Sequence, residues 1–73
     1  MTIERTTVEG LLKEGAPFRE RDLSEADLSG LDFSGVDLQS ACLDGADFSR
    51  CTFRRSSLRA ATARGARFEI LGR

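Results

Sequence analysis

The sequence contains no histidine, tryptophan or tyrosine among its 73 residues. Histidine is the usual general base near neutral pH and the commonest metal ligand, and the two missing aromatics are frequent anchors of binding sites. Only two cysteines are present, and they do not form a CxxC motif. These absences predict a protein that is not an enzyme and that has no catalytic residues, no cofactor and no metal site.

Long hydrophobic segments are absent as well. No apolar run approaches the roughly 18 residues that indicate a membrane span, and the N-terminal MTIERTTVEG carries acidic residues where a signal peptide needs an apolar stretch. We therefore expect a cytoplasmic protein that does not contact a membrane. So short a chain buries a small share of its surface, so its fold needs a stabilising device beyond an ordinary core.

Charge is distributed unevenly along the chain. The formal net charge is only −1, yet residues 1–49 carry eleven Asp and Glu against four Lys and Arg, and residues 50–73 carry one against seven. The two parts therefore have opposite signs. This asymmetry is a better indicator of partners than the net charge is.

A period of five residues runs from residue 16 to residue 70 without a gap. In all eleven units the third position is apolar and the fourth is polar. Chance would give apolar third positions throughout in roughly 2 of 10,000 such chains. The predicted structural core consists of the large third-position residues: Phe18, Leu23, Leu28, Phe33, Leu38, Leu43, Phe48, Phe53, Leu58 and Phe68. The remaining one, Ala63, underfills its position.

This period matches neither the 3.6 residues of a helix nor the 2 of a strand, so a helix is excluded as the main element. A very short strand followed by a tight turn, repeated in every unit, fits it. Glycine recurs at the fifth position, where a type II turn needs a positive φ. Aspartate recurs at the second position, where its carboxylate can accept hydrogen bonds from nearby backbone N–H groups.

Units such as ADLSG, LDFSG, VDLQS and ADFSR resemble the A(D/N)LXX consensus of pentapeptide-repeat proteins. The resemblance covers residues 16–70 and implies an all-β solenoid. The family fold is a right-handed quadrilateral β-helix in which each pentapeptide forms one side and four form a coil. Eleven units then make about 2.75 coils, residues twenty apart stack, and successive coils lie about 4.8 Å apart.

The N-terminal segment, residues 1–15, is expected to contain a short capping α-helix over about residues 7–14. Thr6 and Glu9 form a capping-box pair, Gly15 suits the position after the helix, and Pro17 blocks its continuation. We expect the apolar face of this helix to cover the first coil; the alternative is an exposed helix that docks on a partner. The tail, residues 71–73, offers no comparable cap. The C-terminal end is therefore expected to pair with another protein or another copy, or to continue into a longer solenoid.

Three residues depart from the pattern or invite a chemical role. Arg21 holds a first position that should point inward, so we expect it at the open N-terminal rim or in an irregular first coil, because burying an isolated charge costs several kcal/mol. Cys51 is expected to pack inward and Cys42 to face solvent on a different side, which disfavours a disulfide. The recurring aspartates belong to the repeat and are not read as catalytic carboxylates.

Six arginines near the C-terminus are the candidate partner-binding residues: Arg50, Arg54, Arg55, Arg59, Arg64 and Arg67. Three of them hold the fourth position on successive sides, which predicts a partial ring around the last coil rather than a stripe. No phenylalanine is expected to be free to stack on bases, so nucleic acid is not the expected partner. The ring is expected to recognise an acidic protein surface or the acidic N-terminal coils of another copy.

The sequence therefore predicts a non-enzymatic protein–protein interaction or spacer module. The run LSGLDFSGVDL and the helix before it resemble pentapeptide segments attached to bacterial type VI secretion accessory and effector proteins, which implies a role in that system. One alternative is the family's modulation of DNA gyrase by a DNA-mimicking rod, against which the short length and the basic end argue. A second alternative is an element that assembles end to end.

Overall fold

The computed structural model describes residues 2–69. Helix α1 spans Arg5–Glu14, strand β1 spans Asp47–Ser49 and strand β2 spans Arg67–Glu69. The two strands pair in parallel with Phe48 opposite Phe68. The last repeat residue, 70, and the predicted tail, 71–73, lie outside the described residues.

Further parallel bridges join second-position residues that are twenty apart, from Asp22 with Cys42 to Cys42 with Thr62. Each pentapeptide is thus bridged to the pentapeptide four units later. We call residues 16–35 the first layer, residues 36–55 the second layer and residues 56–69 the third layer. The period of five in the sequence becomes a period of twenty in the backbone pairing.

The hydrogen bonds between layers follow one pattern throughout. A third-position N–H donates to a carbonyl of the next layer, as Leu28 does to Asp47 at 2.9 Å, and a fifth-position N–H does the same, as Gly30 does to Ser49 at 2.8 Å. A second-position N–H donates to a carbonyl of the preceding layer, as the N–H of Asp47 does to the Ala26 carbonyl at 2.9 Å. In each layer, therefore, the carbonyls of the second and fourth positions face the preceding layer. The N–H groups of the third and fifth positions face the following one.

Each of the ten units that end within residues 2–69 ends in a tight turn whose fifth residue has a positive φ. Glycine adopts this conformation readily, as at Gly30 with φ 76°, but Ser40 at 61° and Ala60 at 60° adopt it as well. Side chains with a β-carbon pay a steric cost there. Positive φ is thus a property of the fifth position itself and not only of its glycines.

The second-position aspartates accept hydrogen bonds as the sequence predicts. The Oδ1 atom of Asp22 accepts from the N–H of Ser24 at 3.0 Å, and Asp47 accepts from both the N–H and the hydroxyl of Ser49. The same backbone bond is made by the other aspartates of this position: Asp27, Asp32 and Asp37. These bonds hold the start of each turn.

Third-position side chains of the first two layers form the centre of the core. Seven of the ten predicted core residues are buried: Phe18, Leu23, Leu28, Phe33, Leu38, Leu43 and Phe48. Small first-position residues fill the space between them: Ala26, Ala41 and Ala46. Phenylalanine rings stack between layers, with 5.5 Å between the centroids of Phe33 and Phe53.

The core prediction is wrong for Leu58 and Phe68, and it holds only in part for Phe53. Leu58 is 40% exposed and Phe68 is 46% exposed, and Phe53 is only partly buried. The reason is geometric, because burial of a third-position side chain needs a layer on each side. Within residues 2–69 no later pentapeptide lies over these three.

Helix α1 covers the other end of the core. Val8 is fully buried in the core cluster, and Ile3, Leu11 and Leu12 pack against it. The helix stops in a Schellman motif, with Gly15 at φ 72° and the N–H of Ala16 donating to the Leu11 carbonyl at 3.0 Å. Of the two alternatives for this helix, the structure has the one that covers the first layer. The helix is too short and too polar to cross a membrane, and no other helix occurs in the described part of the chain.

The predicted capping box is absent. The N-cap residue is Glu4, without a side-chain capping bond, and Thr6 lies inside the helix, which begins at Arg5. The start of α1 is held instead by Arg5, whose guanidinium group bonds to the first layer. The N-terminal end of α1 is thus fixed by a contact with the first layer and not by a side-chain cap within the helix.

Arg21 is exposed, and its guanidinium carbon lies 6.0 Å from the centroid of the Phe18 ring. Its backbone follows the regular pattern, since its carbonyl accepts from the N–H of Cys42 at 2.9 Å. Of the two expectations for Arg21, the irregular first layer is wrong; the side chain is exposed instead of pointing into the core. The charge therefore stays in water.

Candidate protein-interaction surface

The C-terminal end, residues 51–69, has an apolar centre. Phe68 stacks on the buried Phe48 with 5.4 Å between ring centroids and an interplanar angle of 8°, and its centroid is 5.8 Å from that of Phe53. The outer part of Phe68 is exposed, as is Leu58. Both side chains belong to the inward-facing set of the repeat, so they form a core surface left open to solvent.

Backbone donors surround this apolar centre. The last pairing of the regular ladder on the flank of β1 and β2 is the N–H of Arg50 with the carbonyl of Glu69, at 3.1 Å. Within residues 2–69, the N–H groups of Leu58, Ala60 and Gly65 pair with no backbone acceptor. By the pattern of the earlier layers, these groups point toward a following layer. The end therefore presents hydrogen-bond donors as well as apolar surface.

The six candidate arginines are all exposed, and five of them lie in the C-terminal end: Arg54, Arg55, Arg59, Arg64 and Arg67. The sixth, Arg50, lies one residue after β1. The ion pairs of the described residues involve Arg5 and Arg19, and none of them includes these six. The six guanidinium groups are thus exposed toward the C-terminal end, and none of them forms an ion pair with a carboxylate within residues 2–69.

Arg67 lies opposite Asp47, and Asp47 is bridged in turn to Asp27, as the stacking of positions twenty apart predicts. Hydrogen bonds from Ser49 hold the pKa of Asp47 below its ordinary value, and the charges of Arg67 and Arg50 add a smaller effect in the same direction. The backbone N–H of Arg64 lowers the pKa of Asp44 in a similar way. These carboxylates are therefore ionised at neutral pH and lie beside the arginines.

Hydrogen bonding and burial shift the pKa values of several carboxylates of the repeat and of one thiol. Hydrogen bonds from serine lower the pKa of Asp22 and of Asp32, so neither carboxylate is a good proton donor or acceptor near neutral pH. Burial raises the pKa of the Cys51 thiol, which donates to the Leu28 carbonyl oxygen at 2.9 Å. Cys42 and Cys51 are both free thiols. Among residues 2–69, no cluster of His, Cys, Asp or Glu could hold a metal ion.

The opposite end shows how this fold closes a layer. Arg5 donates to the Asp27 carbonyl oxygen at 3.2 Å and to the Ser29 carbonyl oxygen at 2.8 Å. It also pairs with Glu9 within the helix at 3.1 Å. Sequence reasoning missed Arg5, although its spacing of four residues from Glu9 is a helix-pairing signal. Its two backbone acceptors lie more than twenty residues away, and no local pattern indicates them.

These features define a repeat protein whose units support one another through backbone pairing and whose distinctive surface is an end rather than a cleft. The family model for pentapeptide repeats matches residues 14–50 and 32–69 with eight copies, so the chain belongs to the pentapeptide-repeat family. Pentapeptide-repeat proteins are generally non-enzymatic structural modules with a β-helical fold. Comparison with curated proteins and with solved structures gives no match.

Proposed function

We propose that this chain is a protein–protein interaction or spacer module that binds through its C-terminal end. Its scaffold is a right-handed quadrilateral β-helix of about 2.75 coils over residues 16–70. It is preceded by an N-terminal segment in which helix α1 covers the first layer. The observation that carries the proposal is the exposure of Leu58 and Phe68, two core-type side chains, at one end of the stack.

Physical chemistry favours covering that end. Exposed apolar surface rimmed by polar groups is typical of interaction sites, and unpaired strand edges promote pairing with another chain. Both features occur together here, because Leu58 is exposed and its N–H lacks a backbone acceptor in the described residues. A partner that covers this end would bury the side chains and satisfy the donors at once.

As its setting we propose the bacterial cytoplasm, with a role as an accessory element of type VI secretion as the first candidate. A short rigid module closed at one end and open at the other suits a spacer between two larger components. Modulation of DNA gyrase by DNA mimicry is a weaker candidate. The acidic residues lie in the first layers, and the open end is basic, which opposes mimicry of a uniformly anionic duplex.

Site-specific photo-crosslinking in cells tests the docking function. A photoreactive amino acid at position 58 should give one discrete crosslinked product, while the same amino acid at position 19, an exposed site in the first layer, should give none. Absence of a product from position 58, together with monomeric behaviour of the purified chain at every concentration, would refute the proposal. A product from both positions would also contradict it, since it would indicate non-selective contact.

A further inference from the structure

The two ends of the stack have opposite hydrogen-bonding needs. In every layer the carbonyls of the second and fourth positions face backward, and the N–H groups of the third and fifth positions face forward. At the N-terminal end, backward-facing carbonyls such as those of Asp27 and Ser29 therefore need donors. At the C-terminal end, forward-facing N–H groups such as those of Leu58 and Ala60 find no backbone acceptor among residues 2–69.

Helix α1 meets the first need with two side chains. Arg5 supplies N–H donors to the carbonyls of Asp27 and Ser29, and Val8 is buried in the same core cluster as the third-position side chains of the first layer. These are the carbonyls to which the N–H groups of a preceding layer would donate. An amphipathic helix with a cationic side chain thus takes the place of a layer.

The C-terminal end calls for the inverse of this cap. Its N–H donors require acceptors, and the exposed arginines around them require negative charge. Carboxylates satisfy both, because an ionised carboxylate accepts strong hydrogen bonds from N–H groups and from guanidinium groups. The exposed parts of Leu58 and Phe68 require apolar side chains between those carboxylates.

We propose that the C-terminal end binds an acidic amphipathic α-helix of another protein. Leucine-like side chains of that helix cover Leu58 and Phe68, and its flanking Glu or Asp residues face Arg59 and Arg64. This proposal rests on the docking function proposed above and specifies the chemistry of the partner. It follows the mode of helix recognition in which an apolar face fills a groove and the charges set selectivity.

A second copy fits this end less well. The helix of another copy carries Glu9 and Glu14, but its apolar Val8 is already fully buried in its own core. Two C-terminal ends placed face to face would bring the arginines of both copies together. Like charges opposed across an interface are costly.

Nucleic acid is also the weaker fit. Phe68 is more exposed than the sequence predicts, so one aromatic ring is available for stacking. The other exposed core-type side chain, Leu58, has no π face, however, and base stacking draws on successive aromatic side chains.

Synthetic peptides test the proposal on the full chain. The probe is a fluorescein-labelled peptide of roughly 20 residues, long enough to form a helix, with leucines on one face and glutamates on the flanks. A matched probe replaces every glutamate with lysine, and a labelled single-stranded oligonucleotide is the third probe. Fluorescence anisotropy is measured with the wild-type chain and with the variants R59E/R64E and R19E. The circular dichroism melting curves of all three chains establish that they are folded.

The glutamate probe is expected to bind the wild-type chain about tenfold more tightly than the lysine probe, or better. R59E/R64E is expected to lose that preference, and R19E to retain it. Raising NaCl from about 50 to about 300 mM is expected to weaken the binding, because the pairs are exposed.

Each of the following outcomes would refute the proposal that the partner is an acidic helix. Equal binding of both peptides that is lost in Leu58→Ser would refute the acidic partner while leaving the docking function intact. Tighter binding of the oligonucleotide would identify nucleic acid instead. If neither peptide binds and the chain self-associates through the same end, the occupant is a second copy. If neither peptide binds and position 58 gives no crosslinked product, both proposals fail.

Discussion

The guanidinium group of Arg5 donates to the backbone carbonyl of Ser29 across 2.8 Å, a contact that joins residues 24 positions apart. This bond and its companion to Asp27 attach helix α1 to the first layer. They close one end of a stack whose other end remains open in the described residues. The asymmetry between the two ends underlies the predictions that follow.

Replacing Arg5 with methionine should lower the free energy of unfolding by about 1–2 kcal/mol, because two carbonyl oxygens lose their donors while the aliphatic stem is kept. Urea denaturation followed by circular dichroism measures this. The matched control is Arg19→Met, which removes only the exposed ion pair with Asp37 and should cost less than about 1 kcal/mol. Equal losses in the two variants would mean that Arg5 does not anchor the helix.

Phe48→Ala should lower the free energy of unfolding by about 3–5 kcal/mol, since the ring is fully buried between layers. Phe68→Ala should cost about half as much or less, because Phe68 is 46% exposed. Phe48 and Phe68 are a matched pair, because the two rings stack on each other and hold the same position of the repeat in successive layers. Chemical denaturation of both variants gives the comparison, and a near-neutral Phe48→Ala would mean that the assigned register is wrong.

Ala60→Gly should raise the free energy of unfolding by about 1 kcal/mol, because alanine is held at φ 60° and glycine adopts that conformation without steric cost. The control is Ala63→Gly at an exposed third position, where glycine only adds freedom to the unfolded chain and should cost about 0.5–1 kcal/mol. Thermal and urea unfolding report both changes. Destabilisation by Ala60→Gly would contradict the positive φ of the fifth position.

Stability should fall in acid. The pKa values of Asp22, Asp32, Asp44 and Asp47 lie below their ordinary value of 3.8 in the folded chain, chiefly through hydrogen bonds. Carboxylates of this kind contribute stability that is fully present above the unfolded-state pKa and is lost as the pH falls through the folded-state pKa. Urea midpoints measured between about pH 7 and pH 2 should thus be level at first and decline below about pH 4. Asp47→Asn should reduce the decline, and a midpoint that rises in acid would refute this account.

Much of the architecture could be predicted from the repeat itself. The third-position residues from Phe18 to Phe48 are buried as predicted, and the second-position aspartates accept backbone hydrogen bonds, because both follow from the geometry of one unit. The exposure of Leu58 and Phe68 could not be predicted in the same way, since burial depends on which layers are present above and below. The role of Arg5 escaped prediction because it depends on a contact between a helix and carbonyls more than twenty residues away. The positive φ of Ala60 has no local signal in the sequence, because glycine indicates that conformation and alanine does not.

Amide hydrogen exchange, resolved by residue with NMR, tests the open C-terminal end most directly. In the free chain at low concentration, the amides of Leu58, Ala60 and Gly65 should exchange fast. The amide of Leu38 should be protected, because it donates to the Ser57 carbonyl of the following layer at 2.8 Å. Adding the acidic helical peptide should slow exchange at the first three and leave Leu38 unchanged. Strong protection of Leu58, Ala60 and Gly65 in the free monomer would show that these donors are already paired, and would contradict a binding surface at this end.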